Sequence, residues 1–203
     1  METDSVGRVE AGHRVKEAGA KPVRQDAAAA FAQLYDEHVW NVYGFFGYRV
    51  RSREEAEDLT QLTFERALRA WNRFDSNRAG ARTWLLAIAQ NVLVDHYRTD
   101  RSARHEPILE GEAGEARLGH AEPREHGLGL SPELEAALTR LGGRERELIA
   151  LRYGGDLNAP EIAELTGLSV ANVHQILSRS LRKLQAELEG SVGTQSRRRA
   201  VGS

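Results

Sequence analysis

Apolar positions along this chain recur at intervals of three and four, and nowhere alternate over a strand-length run. The clearest stripe starts after Ser52, which with Glu55 has the spacing of a capping box and opens a helix expected to reach about Arg73. Ala56, Leu59, Thr63, Ala67, Ala70, Trp71 and Phe74 trace its inward side. A loop, Asp75 to Ala81, separates it from a second helix, Arg82 to Arg98, whose inward residues are Leu85, Ile88, Ala89, Val92 and Leu93. Further on, Ser131-Pro132 starts a helix bearing Leu134, Ala137, Leu138 and Leu141, and Arg144 to Tyr153 forms the next, with Leu148, Ile149, Leu151 and Tyr153.

The most specific pattern follows. Asn158 and Glu161 repeat the capping-box spacing, with Pro160 tolerated in the first turn. Ile162, Ala163 and Leu165 give a short apolar face, and small Ala163 lets two helices cross closely. Gly167 stands where a turn needs positive φ, and Ser169 is placed to cap the next helix. Val173, Ile176, Leu177, Leu181 and Leu184 continue the inward side. This is the pattern of a helix-turn-helix, whose second helix enters the major groove. Its outward residues are Ala171, Asn172, His174, Gln175, Ser178 and Arg179. Asn, Gln and Arg can pair with base edges, and Ser and Arg with phosphates. From Ser169 to Gln185 there is no acidic residue, while Arg179, Arg182 and Lys183 are present. The alternative is a plain helical hairpin with a solvated face.

Composition then divides the chain. Residues 1–25 are polar and aperiodic and read as a disordered tail. Residues 26–101 hold all three tryptophans and form a first helical domain. Residues 102–130 carry Gly, Pro and six glutamates from Glu106 to Glu125 and read as a flexible linker. Residues 131–189 form the helix-turn-helix domain, and 190–203 a second disordered tail with Arg197 to Arg199. The expected fold class is therefore all-α: two small helical domains joined by a flexible linker.

Charge and chemistry narrow the function. The formal net charge of −2 lacks the basic footprint of a free-standing DNA binder, but not that of a reader working within a larger machine. The absence of cysteine excludes disulfides and thiolate chemistry. No apolar run approaches the roughly 18 residues of a membrane span, and the N-terminus lacks a secretory signal, so a cytoplasmic protein without membrane insertion is expected. The seven histidines are scattered, with no phosphate loop, His-Glu-x-x-His pair or nucleophile elbow, so neither catalysis nor cofactor nor metal is expected. In the first domain, Asp58, Gln61, Leu62 and Glu65 share one helix face. A leucine among polar residues fits a docking surface, and equally a solvated face. Thr83, Ala87, Asn91, Val94 and Arg98 lie along another face, near Asp95 and Arg101. Beside the preceding loop, such a face can hold an unstacked base or simply face water.

Together these segments resemble the extracytoplasmic-function (ECF) group of RNA polymerase sigma factors. The resemblance rests on Phe31 to Phe46, Ala56 to Phe74, Ala81 to Arg98, Gly142 to Leu157 and Ala159 to Leu188, in that order. It implies a transcription initiation factor with core RNA polymerase and promoter DNA as partners, and an anti-sigma factor as regulator. Asp58-Leu59-Thr60-Gln61 matches the family's DL-x-Q motif, which implies that Asp58, Leu59, Gln61, Leu62 and Glu65 dock on the clamp helices of the β′ subunit. The loop and helix that follow would read and melt the −10 element through Asn77, Arg78, Arg82, Asn91, Asp95 and Arg98, with Asn91 at a flipped base and Trp84 as packing. The second domain would sit near the β flap and read the −35 duplex through Ser169, Ala171, Asn172, His174, Gln175, Ser178, Arg179 and Arg182. The linker would thread toward the RNA exit path. Two departures stand out. Gly142-Gly143 replace the prolines of many relatives, which should loosen that helix start, and Asn172, His174 and Gln175 stand where basic residues are common. A self-sufficient regulator reading a palindrome is the competing account, disfavoured by the charge and by the Asp58–Gln61 motif.

Overall fold

The computed structural model describes residues 24–103 and 130–201. Within them the chain forms seven α-helices: α1 (Arg24–Gly47), α2 (Arg53–Ala70), α3 (Ala81–Ala103), α4 (Pro132–Thr139), α5 (Gly143–Ile149), α6 (Ala159–Thr166) and α7 (Val170–Val201). No strand occurs among the described residues. The linker reading falls almost wholly outside them, as does nearly all of the N-terminal tail.

Helices α1 to α3 form a three-helix unit. Ser52 caps α2 by accepting from the Glu55 N–H at 3.1 Å, while the Glu55 carboxylate accepts from the Arg51 N–H. One α2 face buries Ala56, Leu59, Thr63, Phe64 and Ala67 against Val42, Phe45 and Phe46 of α1 and Leu85, Ala89 and Val92 of α3. Buried Thr60 and Thr63 return their hydroxyl protons to the Ala56 and Leu59 carbonyls, which satisfies both in the core. The expected reach of α2 to Arg73 is met in two pieces, since the last three residues tighten into a 3₁₀ turn, Trp71–Arg73. That turn seats Trp71 on Phe74, with Trp84 4.7 Å from Phe74, so Trp84 is a packing residue as expected.

Helices α4 to α7 form the second unit around Leu138, Leu148, Leu151, Leu157, Ile162, Val173 and Leu177. Three local expectations are corrected here. The helix expected from Arg144 to Tyr153 is α5 followed by a π turn, Ala150–Gly154, closed by the Gly155 N–H donating to the Ala150 carbonyl. The wider turn swings Tyr153 outward to 49% exposure. Leu181 is likewise 41% exposed, because the next turn presents Ser180 to the core and bonds its hydroxyl to the Ile176 carbonyl. Third, the tail expected from Gly190 is helical to Val201. A formed helix propagates at one bond per added residue, and Gln195, the three arginines and Ala200 are good formers that outweigh Gly190 and Gly193.

Gly142-Gly143 do not leave α5 uncapped, since the Glu145 carboxylate accepts from the Gly142 N–H at 3.0 Å. Lys183 of α7 donates to the same carboxylate at 2.6 Å. Burial alone would raise the pKa of Glu145, but these two donors hold it below the ordinary carboxylate value. Buried Arg146 donates twice to the Leu138 carbonyl, and loss of water lowers its pKa to about 10.

The two units are packed on one another and share one apolar core. The π turn lies against α1, and α6 meets α3. Arg49 donates to the Gly143 carbonyl at 3.3 Å, and Gln90 to the Glu147 carboxylate at 3.0 Å.

Candidate polymerase and promoter interfaces

The helix-turn-helix is built as its spacing predicts. Asn158 accepts from the Glu161 N–H at 3.0 Å and Glu161 from the Asn158 N–H at 2.7 Å, a reciprocal cap on α6. Gly167 ends α6 at φ 71°, where no side chain is tolerated without strain. Ser169 then accepts from the Asn172 N–H and starts α7. With Val173 and Leu177 buried, Ser169, Ala171, Asn172, His174, Gln175, Ser178, Arg179 and Arg182 are all exposed. Arg182 also donates to the Ser178 carbonyl one turn back. The surface is therefore continuous and cationic toward its C-terminal end.

On α2, Asp58, Gln61 and Glu65 are exposed and Leu62 is half-buried. Gln61 donates to Glu65 at 3.2 Å, and Glu65 also pairs with Arg69, so the polar row is pre-ordered. Leu59 is 5% exposed and lies in the core, so it seats this face from behind and does not contact a partner through its side chain. The sequence reading missed what lies alongside. A groove between α1 and α2, lined by Tyr35, Val39, Trp40, Tyr43, Phe64 and Leu68, runs into Gln61 and Glu65. Trp40 is 75% and Leu68 57% exposed. Tyr35, Val39, Trp40 and Tyr43 at helical spacing were the available signal, hidden because a core stripe has the same period.

The third set is scattered in its engagements. Asn77 and Arg78 lie in the exposed loop, where Asn77 donates to Asp75 through both its backbone and its side chain. Asn91 and Arg98 are exposed along α3. Asp95 is held by Arg66 at 2.7 Å, which fixes α2 to α3 beside Asn91. His96 meets Glu55 at 2.6 Å, and the Tyr97 hydroxyl donates to the Arg49 carbonyl at 2.6 Å. Burial raises the Tyr97 pKa, against the opposing pull of Arg49 and Arg146. Arg82 is only partly exposed and faces the second unit, where it binds Asp156 at 2.8 Å and Glu161 at 3.5 Å. Among the described residues no helix is long and apolar enough to cross a membrane.

A three-helix unit with an ordered polar row on α2, followed by a helix-turn-helix unit, defines a class. Residues 34–103 match the model for sigma-70 region 2 and residues 137–186 that for sigma-70 region 4. The chain is 32% identical over 170 residues to the ECF RNA polymerase sigma factor SigC of Mycobacterium tuberculosis, covering 80% of this chain and 84% of that protein. It is 33% identical over 159 residues to the ECF RNA polymerase sigma factor BldN of Streptomyces coelicolor, covering 77% of this chain and 60% of BldN. Its fold is similar to that of CnrH solved with the cytosolic domain of CnrY, with a TM-score of 0.54, 27% identity and coverage of 82% and 94% of the two chains. The RpoE sigma factor of Bartonella quintana, solved with the anti-sigma factor NepR, shares the fold at 19% identity, with a TM-score of 0.53 and coverage of 82% and 96% of the two chains. The chain belongs to the ECF sigma factors of the sigma-70 family, which direct RNA polymerase to promoters at transcription initiation.

Proposed function

We propose that this chain binds core RNA polymerase through α2, reads the −10 element with the loop 75–80 and α3, and reads the −35 duplex with the N-terminal half of α7. The observation that carries this reading is the separation of roles on one scaffold. Eight outward residues line the reading helix, while Asp58, Gln61 and Glu65 form a pre-ordered row on a different helix. The groove around Trp40 is continuous with that row and extends the docking surface toward the β′ clamp helices. Asn77, Arg78, Asn91 and Arg98 serve the −10 strand, with Asp95 holding α2 against α3. The second unit sits by the β flap, and an anti-sigma factor is the expected regulator. The protein acts in the cytoplasm and catalyses no reaction of its own, and the energy of strand opening comes from binding.

Run-off transcription with purified core polymerase, with and without the protein, on fragments of its own genome tests this. New discrete start sites that require the protein support it, and their aligned upstream sequences give both elements. A palindromic footprint by the protein alone, with no transcript, would favour a stand-alone regulator.

A further inference from the structure

Helix α3 carries an apolar group in the middle of a face otherwise offered as polar. Val94 is 55% exposed and stands between exposed Asn91 and Arg98. Positions at i, i+3 and i+7 fall on one side of a helix. Half-buried Ala87 continues the same stripe one turn earlier. A lone exposed valine is ordinary on a protein surface. The setting of this one is specific, because the polar residues that flank the stripe are taken up within the chain. Gln90 donates to Glu147, and the Tyr97 hydroxyl to the Arg49 carbonyl. His96 meets Glu55, and Asp95 holds Arg66. Val92 and Leu93 lie in the core. Within 90–97, the groups left to meet an incoming molecule are therefore the Asn91 amide and the Val94 methyls.

Charge narrows what that molecule can be. The Asp95 carboxylate alone would repel a phosphate, but Arg66 at 2.7 Å balances it. The middle of the stripe is then near neutral, which suits a base better than a backbone, and the cation of Arg98 follows one turn on. Valine has neither donor nor acceptor, so it can tell bases apart only by apolar contact. Of the four bases of DNA only thymine presents a methyl group, at C5. Val94 stands about 4.5 Å along the axis from Asn91, at about 1.5 Å per residue. Successive nucleotides of one strand are about 3.4 Å apart. Val94 thus lies level with the neighbour of the base that Asn91 meets.

We infer that Val94 is a specificity-determining residue: its methyls pack on the C5-methyl of a thymine in the −10 element, next to the nucleotide met by Asn91. The inference rests on the proposed reading of that element by α3, and it adds an apolar discriminator to a set of polar ones.

Uracil is thymine without that methyl, so the contact can be removed from the DNA side alone. Holoenzyme is formed from core polymerase and the full chain. Its binding is measured on a promoter found by run-off transcription, with each −10 thymine replaced in turn by uracil. One position is expected at which uracil weakens binding by the unchanged chain about fourfold, the worth of roughly one buried methyl. In Val94→Ala that position is expected to be indifferent to uracil, and the variant's own loss on the thymine promoter is expected to be of similar size. Val94 lies outside the core and alanine favours helix, so circular dichroism is expected to be unchanged. A −10 element without thymine, no uracil-sensitive position, or equal uracil effects in both proteins would overturn the assignment. Full base changes across the same element test its premise separately. If they weaken binding while uracil does not, Val94 alone is reassigned. If neither weakens binding, or no promoter-specific transcript appears, the proposed reading by α3 falls and the inference with it.

Discussion

Gln175 and Arg179 stand one turn apart on the exposed side of α7, and each side chain can make two hydrogen bonds to one base. Replacing either with Ala is expected to weaken binding to the −35 element by about 1–3 kcal/mol and to relax preference at one base pair, read by holoenzyme binding to a panel of single-base variants. Unchanged selectivity in both would reassign the reading face. Glu145 gives a pH signature. Its folded pKa is depressed, so its contribution is present above the unfolded value of about 4.3 and is lost as pH falls through the folded value. Glu145→Gln is expected to cost about 1 kcal/mol at pH 7 and much less near pH 3, measured by urea unfolding at both.

At the scale of elements, the proposed docking row on α2 is separable from the helix that carries it. Asp58 and Gln61 are exposed, and the core beneath is Leu59, Thr63 and Ala67. The double substitution Asp58→Ala, Gln61→Ala is expected to reduce core-polymerase binding at least about tenfold, or 1.4 kcal/mol, while shifting the melting temperature little. Full binding by a folded double variant would refute the docking assignment. What sequence made legible here was local. The caps at Ser52, Asn158 and Ser169 and the turn at Gly167 follow from short-range hydrogen bonding and from φ, and both are written within four residues. The π turn escaped because Ala150 to Gly154 keeps an apolar spacing that a regular helix would also show. Leu181 was misplaced because α7 buries small Ser180 in its stead, a choice made by packing and not by hydrophobicity.

For the molecule as a whole, a formal net charge of −2 confines attraction to DNA to local patches. The isolated chain is expected to bind promoter duplex no more tightly than the range typical of non-specific binding, about 10⁻⁴ to 10⁻⁶ M, in gel shifts at physiological salt, with tight binding only in holoenzyme. Nanomolar binding by the chain alone would favour the stand-alone regulator. The two-unit all-α plan was readable because each unit carries its own apolar periodicity. The seam was not, since Arg82 and Asp156 are 74 positions apart and nothing in either neighbourhood names the other. Arg82, expected at DNA, is found on the carboxylates of Asp156 and Glu161, which its own neighbourhood in sequence does not announce.

Gly44 has a further consequence for how such a chain tolerates change. A glycine inside a helix weakens it by roughly 1 kcal/mol relative to alanine, so α1 is less robust than its sequence would otherwise make it. The bare backbone that weakens the helix is also what admits Gly154. Alanine at this position therefore strengthens the part and loosens the whole. Robustness of the helix and the packing of the two units pull in opposite directions at a single methyl group, so a gain within α1 is expected to be offset where α1 meets Gly154.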